Sequence, residues 1–152
     1  MLLKHDVPER NHRDWSLQPP VAPLALARPS DTAGVSAVLK TCHALGIPIV
    51  PQGGLTGLSG GAHPTSNSLV LSLERLTGIE ELDAANATMT VWAGTPLQQV
   101  QEAATEAGLM FALDLGSRGS CSIGGNLATN AGGTRVIRYG MARDLVLGLE
   151  VV

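Results

Sequence analysis

From Asp31 onward the chain reads as short blocks of helical and extended periodicity in alternation. Val35, Val38, Leu39, Cys42 and Leu45 recur at helical spacing, Ser30 or Asp31 is placed to cap the first turn, and Gly46 with Pro48 supplies the stop. This predicts a surface helix with one buried face. Upstream, Pro19, Pro20, Pro23 and Pro29, with Pro8 further back, keep residues 15–29 extended, leaving room for one short strand over 24–27. Residues 47–50 are a short β-branched run and residues 68–73 a second strand candidate, on either side of a long glycine-rich loop. Residues 79–83 and 88–93 flank Ala84 to Ala87, and Met89, Val91 and Ala93 alternate with Thr88, Thr90 and Trp92, which predicts a β-hairpin with one buried face.

Thr95, Pro96 and Gln98 form a helix-start signature. The Thr95 hydroxyl can cap the amide of Gln98, Gln98 can answer, and Pro96 suits the first helical position, so a helix is expected over 96–107, ended by Gly108. Residues 109–113 predict a further short strand, a second glycine-rich segment spans 116–133, and 145–152 reads as a buried strand. Such a terminal run normally needs neighbours on both sides and both faces, so a continuation of the chain is expected.

Composition sharpens this picture. A chain of 152 residues with 44% hydrophobic content can build a core, but only 3% is aromatic, so Val, Leu, Ile and Ala must fill it. The 18 glycines are clustered, which points to loops lined by backbone. A net charge of −3 without any basic run argues against nucleic acid and favours a small-molecule ligand. Cys42 and Cys121 belong to no metal-spaced or CxxC set, the N-terminus has no apolar signal region, and no run reaches the length of a membrane span. A cytoplasmic setting follows as the expectation, with residues 1–14 as an N-terminal tail.

The first loop, PQGGLTGLSGGA over 51–62, places five glycines in nine positions between two strands. Glycines permit positive φ, so successive N–H groups can converge on an anion, and Thr56 and Ser59 add hydroxyls. No lysine follows the glycines and the GxGxxG spacing occurs nowhere, so neither common nucleotide loop fits. Backbone amides alone would have to hold a pyrophosphate; the alternative is a plain flexible loop. In the second segment, Gly124, Gly125, Ala128, Ala131 and Gly132 would let a short helix pack close to a flat ligand. Ser122 is a candidate N-cap, the first amides would be free for an anion, and Asn126, Thr129 and Asn130 would supply polar contacts. Tight packing without a ligand is the alternative, and two such loops in one small chain favour a shared cleft.

These two stretches, PQGGLTGLSGGA (51–62) and LDLGSRGSCSIGGNLATNAGGTRVIRYG (113–140), resemble the flavoprotein oxidoreductases of the vanillyl-alcohol oxidase type, which share the PCMH-type FAD-binding domain. Within them the chain is most similar to the branch of D-2-hydroxyglutarate dehydrogenase, D-lactate dehydrogenase and the glycolate oxidase subunit, over residues 15–152. The resemblance implies an α+β fold with a small parallel β subdomain, followed by a mixed or antiparallel sheet flanked by helices and truncated within the FAD-binding domain. It implies FAD with its pyrophosphate on the amides of Gly53, Gly54, Leu55, Thr56 and Gly57, with Leu58 and Gly60 close by. Gly116, Ser120, Cys121, Gly124, Gly125, Asn126, Thr129, Asn130 and Gly140 would contact the rest of the cofactor. In the family, hydride passes from the α-carbon of a 2-hydroxy acid to flavin N5, giving a 2-oxo acid, and electrons leave to an acceptor. Substrate-capping parts, catalytic histidines and a divalent-metal site belong to a region beyond these residues, so neither a catalytic base nor a metal ligand is assigned here. Homodimerisation stays open.

Where some relatives attach FAD through a histidine, this chain has Leu55, and Cys121 stands roughly where a subset carries a cysteinyl link; non-covalent binding is expected, with Cys121 in a packing role. His5, His12, His43 and His63 are dispersed, and Arg118, Arg138, Asp14, Asp114 and Asp144 carry no assigned role. Two other readings compete: an inactive fragment or a chain that complements another and binds no flavin alone, and another flavin reductase of the same superfold, such as the cell-wall enolpyruvyl type.

Overall fold

The computed structural model describes all residues, 1–152. Two compact units divide the chain, Met1–Leu76 with Val152, and Thr77–Val151.

In the first unit, β1 (Leu2–Leu3), β2 (Ala25–Ala27), β3 (Ile49–Gln52) and β4 (Leu69–Ser72) form one sheet in the order β1-β2-β4-β3. β2 and β3 both pair parallel to β4, while β1 is antiparallel to β2. β4 is buried at every position, as a central parallel strand must be, and β3 lies on the edge, where Pro51 does not deprive a neighbour of a ladder bond. Helix α1 (Thr32–Leu45) begins with Asp31 accepting the Gly34 amide at 2.6 Å and ends at Gly46 in the left-handed conformation, φ 64°. Val35 and Cys42 are buried along its inner face, but Leu45 is 67% exposed and does not join them. β3 starts two residues later than the sequence suggests because the Ile47 amide is engaged by the Cys42 carbonyl at the helix end. Residues 1–14, expected as a tail, are built into this unit. Val7 packs with Leu26 and Val70, and Asn11 and Asp14 are buried.

In the second unit, β5 (Ile79–Asp83) and β6 (Thr88–Val91) form the expected antiparallel hairpin, and Asp83 accepts the amides of Ala85 and Asn86 to shape its turn. Helix α2 (Leu97–Glu106) buries Leu97, Val100 and Ala104. It is followed by α3 (Ile123–Ala128) and α4 (Val136–Tyr139). The core joins Leu97, Val100, Leu113, Cys121, Ile123 and Ala142, with Met89 and Val91 of the hairpin packed against it.

Three local expectations are corrected in this unit. Thr95 does not cap α2: its hydroxyl is engaged with both the amide and the carbonyl of Gly78 at 3.0 Å, while the Leu97 and Gln98 amides go to the carbonyls of Cys121 and Arg118. Residues 109–113 form no strand. Leu113 enters the core, but its carbonyl accepts from Gln101 Nε2 at 2.8 Å and the Leu109 amide closes the end of α2, so these bonds take the place of a ladder. Residues 145–152 are not a buried strand either. No strand pairs with them, and Leu147, Leu149 and Val151 are 86%, 66% and 83% exposed.

Candidate functional site

The first glycine loop leaves β3 at Gln52 and returns at Ala62. None of the amides from Gly53 to Gly61 donates a hydrogen bond within the chain, whereas those of Ala62 and His63 go to Asp14 Oδ2 and the Gly60 carbonyl. A Cβ added at Gly57 or Gly61 would meet nothing within 4 Å, so these glycines face open space. Leu55 adopts φ 61°, a left-handed conformation rare for a leucine and of the sort that clusters at ligand-holding turns. Gly53, Gly54, Leu55 and Thr56 are half-buried, and Gly57 and Leu58 are exposed. Gly60, at φ 80°, packs toward Gln18.

Behind this loop the carboxylate of Asp14 is buried. Burial favours its neutral form, but hydrogen bonds from Ser16 and Ala62 and the charge of His63 outweigh that, and the acid is held below the ordinary carboxylate range. The bond from Ser16 that the geometry shows comes from its amide, at 2.9 Å. The Ser16 hydroxyl, Asn11 Oδ1 and His63 Nδ1 are buried without a partner.

The second segment is engaged in its own packing. The expectation that the first amides of α3 are free is corrected: Ile123 donates to the Thr95 carbonyl at 2.9 Å and Gly124 to that of Ala93 at 2.7 Å. A Cβ on Gly124 would stand 2.8 Å from Ala93 Cβ, so this glycine permits backbone contact. Ser122 precedes α3 but its hydroxyl caps nothing. Asn126 is buried and reaches Cys121 Sγ at 3.6 Å, Thr129 bonds back to the Gly125 carbonyl, and Asn130, at φ 49°, accepts the Arg143 amide. Cys121 lies in the core and Ser120 is exposed. Gly140 takes φ 80° and closes against Asp144. Gly116 and Gly125 remain the open positions: nothing lies within 4 Å of a Cβ at Gly116, and Gly125 is exposed, with only the Ser122 hydroxyl near its own.

Of the residues without an assigned role, Arg118 pairs with Asp114 at 2.7 Å, with Arg135 at 3.6 Å on its other oxygen. The Arg118 hydrogen bond, with one from Gln101, holds the Asp114 acid below its usual range. Arg138 stacks over the Tyr139 ring. Sequence reasoning missed Asn11 and Gln52, buried polar residues with no periodic signal. A polar side chain closing an apolar strand directly before a glycine loop is the one clue that Gln52 offered.

The family model described as an FAD binding domain matches residues 23–152. The chain belongs to the FAD-binding domain family. It is similar to the D-2-hydroxyglutarate dehydrogenase of Xanthomonas citri pv. viticola, with 50% identity over 152 residues covering 99% of this chain and 32% of that protein. It is also similar to the mitochondrial D-2-hydroxyglutarate dehydrogenase of Danio rerio, 40% identical over 97% of this chain and 28% of the relative. The D-lactate dehydrogenase of Archaeoglobus fulgidus is 42% identical over 95% and 33%. The chain thus spans about a third of the length of these relatives. Among solved structures, an alkyldihydroxyacetonephosphate synthase superposes with a TM-score of 0.74 at 24% identity, over 84% of this chain and 24% of that one, which shows the PCMH-type fold. The residues of this FAD-binding chain fit the cofactor's charged centre: an open run of amides without acceptors in the chain matches a pyrophosphate that carries negative charge and many acceptor oxygens.

Proposed function

We propose that this chain is the FAD-holding part of a flavin-dependent dehydrogenase that oxidises D-2-hydroxy acids to 2-oxo acids. The observation that carries the reading is the run of unengaged amides from Gly53 to Gly61. In it, Gly53, Gly54, Leu55, Thr56 and Gly57, with Leu58 and Gly60 beside them, receive the pyrophosphate. The remaining contacts come from Gly116, Ser120, Cys121, Gly124, Gly125, Asn126, Thr129, Asn130 and Gly140, and their role is contact and shape, since several of their polar groups already have partners. FAD is held non-covalently, because Leu55 has no nucleophile and the Cys121 thiol is packed in the core. When bound, the flavin supplies the hydride acceptor; these residues hold and orient it. The substrate class is taken from the names of the relatives, D-2-hydroxyglutarate and D-lactate dehydrogenases. A catalytic base, any divalent metal and the contacts to the electron acceptor lie outside residues 1–152. The setting we propose is the cytoplasm; as a separate fact, no helix is long and apolar enough to cross a membrane.

The test is the visible spectrum of the purified 152-residue chain before and after FAD is added, and of the supernatant after acid precipitation. A flavin spectrum released by acid is expected. Flavin that stays with the precipitate overturns the non-covalent mode, and a colourless protein that takes up no FAD overturns the reading of the loop in favour of a fragment that another chain must complete. The substrate class is tested on the protein that carries this chain, with an artificial acceptor: D-2-hydroxy acids should reduce it and their L-enantiomers should not.

A further inference from the structure

Behind the first glycine loop lies a set of polar side chains that cofactor contact does not account for. Gln52 is 1% exposed and makes three hydrogen bonds. Its Oε1 accepts from Asn11 Nδ2 at 2.8 Å, and its Nε2 donates to the carbonyls of Asn11 at 3.2 Å and Ala62 at 2.9 Å. One side chain therefore ties the residue before the loop to the residue after it, and both to the N-terminal segment. Asp14, 7% exposed, accepts the Ala62 amide on Oδ2 at 3.3 Å and the Ser16 amide on Oδ1 at 2.9 Å. Gln18 Nε2 stands 2.6 Å from where a Cβ on Gly60 would lie, so the same segment backs the C-terminal end of the loop.

Burying an amide side chain and a carboxylate is costly unless their hydrogen bonds are made, and a surface loop with no task needs neither. A loop whose amides are kept for a ligand cannot use them to hold its own shape. Its form must be set from behind.

We propose that Asn11, Asp14 and Gln52 are positioning residues that lock residues 53–61 in the shape presenting their amides to the cofactor's pyrophosphate. This rests on the reading of that loop as the phosphate-binding one; none of the three touches the cofactor in it.

The test uses the ¹⁵N-labelled, flavin-free 152-residue chain and two variants. Gln52→Glu keeps the size and one acceptor but sets a second acceptor against two carbonyls; Asp14→Asn removes the charge and one acceptor. The expected result is displaced amide cross-peaks over 53–62, exchange at the Ala62 amide about tenfold faster or more, and unmoved peaks in α1 and β4. FAD affinity should fall about tenfold, the worth of one bond to a charged group. Asp83→Asn, in the hairpin turn of the other unit, should alter neither reading. Unmoved loop peaks in folded variants overturn the proposal, as does displacement with unchanged affinity. If a variant does not fold, Asn11→Ala, which leaves Gln52 and Asp14 in place, reads the same peaks. Failure of the wild-type chain to take up FAD sinks the phosphate reading separately, and the loop peaks alone then decide whether the three residues lock the loop.

Discussion

The glycines of the first unit's loop and those of the second unit's segment look alike in sequence and act differently. Gly57 and Gly61 face open space and lie in a run whose amides have no acceptor, so the absence of side chains leaves room for something else. Gly124 and Gly133 are pressed against the chain's own backbone. A Cβ at Gly124 would collide with Ala93, and one at Gly133, where φ is 75°, with the Asp114 carbonyl. Glycine is thus used in one region to keep a surface free and in the other to close a packing contact.

A methyl group placed at each kind of position separates the two uses of glycine most directly. Gly124→Ala and Gly133→Ala should each destabilise the second unit by about 2–3 kcal/mol, through overpacking at the first and added strain at the second. Urea unfolding would measure it, and a change near zero would mean that the segment relaxes easily and the contacts are incidental. Gly57→Ala should leave stability within about 0.5 kcal/mol. Its FAD affinity should nevertheless fall about tenfold, as crowding costs the equivalent of one charged hydrogen bond; titration of flavin fluorescence reads this. Equal affinity in that variant would remove the distinction between the two loops.

The N-terminal segment behind the first loop adds an acid dependence. Because the folded state lowers the Asp14 acid below its unfolded value of about 3.9, the group contributes stability above about pH 4 that is lost as pH falls through the lowered value. Asp14→Asn should therefore lose stability at pH 7 and show a shallower decline below about pH 4 in unfolding curves. A decline as steep as wild type would place the acid sensitivity elsewhere. The smallest effect is expected at Gly116→Ala, one of the open positions of the second segment, with stability changed by less than about 0.5 kcal/mol.

Elements with a strong local pattern were readable without coordinates. Helix α1 has both its cap and its stop in the sequence, the hairpin has its alternation and turn, and β4 has three consecutive branched apolar residues, Leu69 to Leu71. Expectations failed where a group had two partners to choose from. Thr95 had a local amide to cap and instead bonded Gly78, seventeen residues away in the chain. Residues 109–113 and 145–152 had the composition of strands, but a strand requires a neighbouring ladder, which composition does not reveal.

The clustering of small residues into two backbone-lined segments, the strands and hairpin around them, and the family to which both segments point are all written in the chain's local pattern. Only the tertiary structure decided which amides are left free and which are engaged, and that Asn11, Asp14 and Gln52, scattered along the chain, meet behind one loop. The physical reason is that glycine permits close approach without specifying what approaches. Hydrogen-bond partners distant in sequence are chosen by packing, which no local pattern encodes.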